Sequence, residues 1–333
     1  MTARIDAPSY TLFPVQRNTG RDASLTRGIA SGTREAAALF RSRRFQVIFP
    51  PRHHYNRRFD RMATGSITTD AGRIAYRQSA GTGSAIVLVH GNSASSKAFA
   101  RQLDGNLGRT HRVIAFDLPG HGESDDAADP AATYTLPGYA RVLHDVVAHL
   151  DAADAVFVGW SLGGHIVLEA APELPQAKGF AIFGTPPFGF PPAVKQAFLM
   201  HPAMACTFAR DLTDKQARGY VAAAFRPGVA DLPAFMIDDV LRTDGHARKN
   251  LGASITPGGF RDEVAVIASL TRPLAVLHGA EEQLINGDYV KTLAMPTLWR
   301  GAVQTVPGAG HILQWEQAES FNALLDAFAA DCG

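Results

Sequence analysis

Ala155-Val156-Phe157-Val158-Gly159-Trp160-Ser161-Leu162-Gly163-Gly164-His165-Ile166-Val167-Leu168-Glu169-Ala170-Ala171 is the stretch on which the reading of this chain turns. A β-branched and aromatic run stops at Gly-x-Ser-x-Gly, and an apolar, alanine-containing helical pattern starts at once. That order spells strand, sharp turn and helix, with Ser161 at the apex. Glycine is needed on both flanks, because a Cβ at position 159 or 163 would crowd the neighbouring backbone. A bare Gly-x-Ser-x-Gly is a common string and also marks ordinary turns. The strand before it and the helix after it are what make a nucleophile elbow the better reading.

Outward from the elbow, short apolar runs alternate with helical patterns. Asp70-Ala71-Gly72 forms the turn of a hairpin spanning Ser66–Ser79. Ala85–Val89 and Arg112–Phe116 read as strands buried on both faces, followed by a helix from about Leu136 to Leu150. Further strands are expected at Gly179–Phe183, Pro273–Leu277 and Ala302–Val306, with a closing helix at Trp315–Ala330. This alternation implies an α/β architecture: a mostly parallel central sheet flanked by helices. From Phe188 to Val264 the alternation breaks into a Pro- and Phe-rich insert, helical in pieces at Asp214–Phe225 and Ala234–Leu241. The expected division is therefore 62–187 for the first part of the core, 188–264 for a helical cap after the sixth strand, and 265–333 for the rest of the core.

The charge is uneven. Residues 1–61 hold 12 Arg, no Lys and 4 acidic residues, whereas the remainder holds 20 basic and 27 acidic ones. An acidic body argues against nucleic acid as a partner. The basic arm lacks sustained periodicity and an apolar export core, and is read as a disordered extension or an over-long start ahead of Met62. No apolar run is long enough to span a membrane. Cys206 and Cys332 have no metal-binding or disulfide spacing, which fits free thiols in a cytoplasmic protein.

A serine hydroxyl needs a base, and the base needs an acid to hold its tautomer. With an elbow of this kind the chain order is serine, acid, histidine. His311 follows the last strand in a glycine-loosened loop, Val306-Pro307-Gly308-Ala309-Gly310, and is the expected base; His201 and His246 sit in or at the exit of the insert. Two adjacent carboxylates, Glu281 and Glu282, follow the preceding strand, while Asp262 and Asp288 read as solvated loop charges. The oxyanion needs two backbone N–H donors. Leu162, directly after the nucleophile, supplies one, and Asn92, in the loop after Ala85–Val89, the other. The Asn92 amide is also placed to hold a substrate oxygen. His90, Asp117, His121, His165 and Glu169 are read as residues that tie loops or pack.

With these motifs in order, the chain resembles the α/β-hydrolase superfamily from about Ser66 onward. A narrower likeness runs through His90–Ser96, Arg112–Gly122, Gly159–His165, Gly184–Pro187 and Arg242–Arg248, which look like bacterial serine-dependent N-acyl-homoserine-lactone lactonases. The resemblance implies an α/β-hydrolase fold and aligns the triad acid with Glu282. It also implies Tyr220 above the substrate carbonyl, and substrate contacts from Trp160 and Phe188, with Phe190, Phe208, Phe225 and Met236 as further walls for an acyl chain. No metal or organic cofactor is implied. The substrate it implies is a small ester or lactone, opened through an acyl-enzyme. Gln283 departs from the pattern, which commonly has proline there. General carboxylesterases, C–C hydrolases and perhydrolases share these motifs, and a hydrolase-like small-molecule receptor is the alternative from another class. Oligomeric state is not legible in the sequence.

Overall fold

In this computed structural model, residues 62–333 are described; the basic arm at 1–61 lies outside them. Eight strands form one sheet: β1 (Ala63–Thr69), β2 (Gly72–Gln78), β3 (Gly83–Val89), β4 (His111–Phe116), β5 (Val156–Trp160), β6 (Gly179–Phe183), β7 (Leu274–Gly279) and β8 (Gln304–Val306). Their order is β1-β2-β4-β3-β5-β6-β7-β8. The hairpin β1–β2 is antiparallel and joins β4 antiparallel, whereas β3 to β8 all run parallel.

The strands are apolar on both faces because both faces are covered. Val87, Val89, Ile114, Phe116, Phe157, Phe180 and Ile182 pack to one side with the helices Leu136–His149 and Leu162–Ala170. Ile86, Leu88, Val113, Ala115, Val158, Ala181 and Phe183 pack to the other with the C-terminal helix. The period of two that separates these sets is the pleat of the strand. Next to β3 the strand order reverses, since β4 lies on one side and β5 on the other. In open α/β sheets ligands bind outside the carboxyl ends of the strands at such a reversal, here the ends of β3 and β5. The loops carrying Asn92 and Ser161 leave from those two ends.

The helical insertion follows the sixth strand, as the sequence implies. After a single helical turn at Val194–Ala197 its longer helices are Asp214–Ala224, Ala234–Arg242 and Gly245–Ser254, and Glu263–Ser269 leads back towards β7. The helix Gly245–Ser254 is absent from the sequence reading, because only Ala247, Arg248 and Leu251 of it are buried and no apolar stripe announces it. The closing helix also differs: Leu313–Glu316 and Ala318–Cys332 are separate pieces. They break at Gln317 (φ −125, ψ 52), whose side chain donates to the Gly308 carbonyl at 3.0 Å. Cys206 and Cys332 are both free. Among the described residues, no helix is long and apolar enough to cross a membrane.

Candidate active site

Ser161 sits between β5 and the helix Leu162–Ala170 with φ 53 and ψ −118. Left-handed φ costs an L residue energy and persists only where the surroundings enforce it. Here the Ser161 N–H donates to the Phe183 carbonyl and the Ser161 carbonyl accepts from the Thr185 hydroxyl, both at 2.9 Å. The flanking glycines are required by contact: a Cβ on Gly159 would lie 2.3 Å from the Gly163 carbonyl oxygen, and one on Gly163 2.1 Å from that of Val89.

His311 lodges beside this turn. Gly184, between the two residues that hold the Ser161 backbone, has φ +59, and a Cβ there would fall 2.7 Å from His311 Cε1. Trp160 donates its indole N–H to the His311 carbonyl at 2.9 Å, with the rings 5.9 Å apart. His311 Nδ1 lies 2.8 Å from Glu282 Oε2, and both side chains are buried. The other carboxylate oxygen, Oε1, accepts the Leu284 N–H at 2.8 Å. Burial pushes the Glu282 carboxyl up, but the charge and hydrogen bond of His311, the Leu284 N–H and His278 outweigh it and hold the group below the ordinary glutamate value. Glu281, by contrast, points to solvent. A carboxylate on Nδ1 leaves Nε2 as the free lone pair of a neutral imidazole. Among the described residues the Ser161 hydroxyl donates to no partner, as in apo sites where that contact tightens only with substrate.

Leu162 opens its helix, so its N–H has no intrahelical acceptor. Gly91 lets the β3 loop that carries Asn92 approach the elbow: a Cβ on Gly91 would sit 3.2 Å from Ser161 Cβ. Neither the Leu162 nor the Asn92 N–H donates to any group among the described residues. The Asn92 side chain is engaged elsewhere. Its Nδ2 donates to the Thr207 carbonyl at 2.8 Å and its Oδ1 accepts from the Ser93 hydroxyl at 3.1 Å. The amide expected to grip substrate is therefore a tie between core and insert.

The expected substrate walls divide. Trp160, Phe225 and Met236 are buried in one apolar cluster, with Tyr220 packed against it. Tyr220 is half-buried; burial pushes its phenol up to about 12, with Thr207 and Arg248 pulling the other way. Phe188 belongs to the opposite cluster. It stacks on His165 at 5.1 Å and packs against Phe198 at 5.6 Å. Phe188 is thus a packing residue here. Phe190 and Phe208 are only partly covered, at 37% and 41% exposure.

The remaining candidates tie loops. His90 donates from Nδ1 to the Gly91 carbonyl and accepts the Leu118 N–H on Nε2, and burial draws its basicity down. Asp117 receives the Ser96 and Glu123 N–H groups. His165 pairs with buried Glu263, and Glu169 accepts the Arg261 N–H. His201 caps the 3₁₀ turn at Pro202–Cys206, Asp262 caps the helix Glu263–Ser269, and Asp288 pairs with Lys291 on the surface. Gln283, visible in the sequence only as a departure, donates to the Phe225 carbonyl at 2.8 Å and so joins the acid loop to the insert. Among the described residues, no three His, Cys, Asp or Glu side chains converge as metal ligands.

The chain is similar to several known proteins. N-acyl homoserine lactonase AidH, solved with N-butanoyl homoserine, is similar at 37% identity, with a TM-score of 0.78 over 81% of this chain and 97% of that one. A pimeloyl-[acyl-carrier protein] methyl ester esterase of Xylella fastidiosa is 30% identical over 274 residues, spanning 77% of this chain and 98% of the esterase. An acetyltransferase component of the acetoin cleaving system of Cupriavidus necator is 27% identical over 266 residues, but the match spans only 66% of that protein. A profile of the alpha/beta hydrolase family matches residues 86–324. This chain belongs to the alpha/beta hydrolase family.

Proposed function

We propose that this hydrolase opens the lactone ring of N-acyl-homoserine lactones with a Ser161–His311–Glu282 triad. The reading rests chiefly on the buried His311–Glu282 pair lodged beside the Ser161 elbow, at 2.8 Å. The 37% likeness to a lactonase supports the substrate class. Ser161 Oγ attacks the lactone carbonyl carbon while its proton passes to His311 Nε2, and Glu282 steadies the imidazolium through Nδ1. The Leu162 and Asn92 N–H groups take the oxyanion. As the tetrahedral intermediate collapses, the ring C–O bond breaks and the departing alkoxide recovers the proton from Nε2. The product is an ester of Ser161 whose homoserine hydroxyl remains on the same acyl group. Water, deprotonated by His311, attacks that ester, the acyl–Oγ bond breaks, and Ser161 Oγ takes back the proton from Nε2 as the ring-opened acid is released. The insert acts as the cap, with Trp160, Phe225, Met236 and Tyr220 the apolar surface nearest this chemistry.

The 30% identity to a methyl ester esterase favours a second reading, hydrolysis of an open-chain ester by the same triad. Mass spectrometry of an N-acyl-homoserine lactone incubated with the protein separates the two. Gain of one water, reversed by acid and lost in Ser161→Ala, is expected. An unchanged lactone beside a hydrolysed aryl ester would leave only the esterase. Tight lactone binding without turnover of either would point to a receptor.

A further inference from the structure

Arg248 is buried, at 3% exposure, and pairs with no carboxylate among the described residues. A guanidinium taken from water without a counter-ion is costly unless its donors are well used. They are used on the junction between insert and core. Nε donates to the Ala209 carbonyl and Nη2 to that of Arg210, both at 2.8 Å. Nη1 donates to the Val240 carbonyl and to the Ser93 hydroxyl, both at 3.2 Å.

The last bond gives the site a direction. Arginine only donates, so Ser93 Oγ must accept from it and turn its own hydrogen elsewhere. That hydrogen goes to Asn92 Oδ1, which in turn aims Asn92 Nδ2 at the Thr207 carbonyl. The chain runs one way, from Arg248 through Ser93 and Asn92 to Thr207, and pins the Asn92 amide at both ends. Ser93 itself has φ 58, a left-handed conformation that favours glycine and needs enforcement. Both observations hold Asn92 in place, and with it the Gly91–Asn92 peptide that carries its N–H.

We propose that Arg248 is a positioning residue that orients the Asn92 N–H towards the oxyanion through the Ser93 hydroxyl. This deepens the function proposed above and rests on it. Since the insert supplies Arg248, the oxyanion site is complete only while the insert is seated on the Asn92–Ser93 loop.

Ser93→Gly is the primary test. Glycine accepts the left-handed backbone without strain, so it removes the bridge and leaves the turn. With an aryl ester, kcat should fall about tenfold or more, as misaimed catalytic groups do. KM and the melting temperature should stay close to those of the parent. Arg248→Met should lower kcat similarly, and the double variant should be no slower than Arg248→Met alone. With the thionoester of the same substrate, whose sulfur accepts hydrogen bonds weakly, the loss should shrink. Parental kcat in Ser93→Gly, multiplying effects in the double variant, or equal losses on ester and thionoester would each overturn the proposal. If Ser161→Ala retained full turnover, the triad reading itself would fail. Inactive Ser161→Ala beside fully active Ser93→Gly would remove only the role of Arg248.

Discussion

Replacing Glu282 by glutamine changes one atom and should reverse the tautomer of the base. In the parent, Oε1 accepts the Leu284 N–H and Oε2 faces His311 Nδ1, each at 2.8 Å. A glutamine keeps its carbonyl oxygen on the Leu284 N–H and turns its NH₂ towards His311. Nδ1 must then accept, the ring proton moves to Nε2, and the lone pair that would take the Ser161 proton is gone. Flipping the amide would restore the working tautomer but aim a donor at the Leu284 N–H. An unpaired buried donor costs about 1–3 kcal/mol, or roughly 5- to 150-fold in population. Even the flipped form lacks the negative charge that stabilises imidazolium. The total loss in kcat should approach about 10⁴-fold, or about 5 kcal/mol of barrier. The assay is steady-state hydrolysis of an aryl ester and of the lactone, with the melting temperature expected within a few degrees of the parent. Glu281→Gln, at an exposed position, is the control and should keep kcat within about twofold. A Glu282→Gln enzyme retaining kcat within about tenfold would refute the assignment of the acid.

Gly184→Ala would bring a Cβ to 2.7 Å from His311 Cε1 at φ +59, forcing the ring off its seat. Hydrolysis should fall about 100-fold, and kcat within about threefold of the parent would contradict the placement. Asp239 tests the electrostatics of the junction. Burial pushes this carboxyl up to about 6, despite the Ser95 hydroxyl at 2.5 Å and the Lys97 ammonium, and Asp117 and Asp238 add to the rise. Its folded pKa exceeds the unfolded one, so the native state holds its proton longer and stability declines as pH rises between about 4 and 6. Above that window the penalty is roughly 3 kcal/mol at most. Urea unfolding of Asp239→Asn across pH 4 to 8 should gain on the parent by a comparable amount. Parallel pH profiles for the two proteins would refute this.

Much of the site was legible because its signals are local. Ser161 is set by the sterics of residues on either side of it, and the glycines at 159 and 163 mark those close contacts in any context. The buried parallel strands announce themselves as continuous apolar runs, since both faces are covered. Gly184 lies in Gly184–Pro187, one of the stretches that carry the resemblance, but nothing local marks its contact with His311, because the two residues are distant in the chain.

The sequence by itself determined the strand–turn–helix at Ser161, the alternation that makes a mostly parallel sheet, and a short set of candidates for base and acid. Tertiary structure decided which of two adjacent carboxylates is buried against His311: the path of the loop after β7 turns Glu282 inward and Glu281 to water. It also turned the Asn92 amide from a supposed substrate contact into a tie with Thr207, and packed Phe188 on the far side from Trp160. It placed Arg248, on a helix with no apolar stripe, against Ser93. The Asn92 and Arg248 ties depend on where the insert settles on the core. That is fixed by hydrogen bonds and packing between residues more than a hundred positions apart, which no local period or propensity encodes.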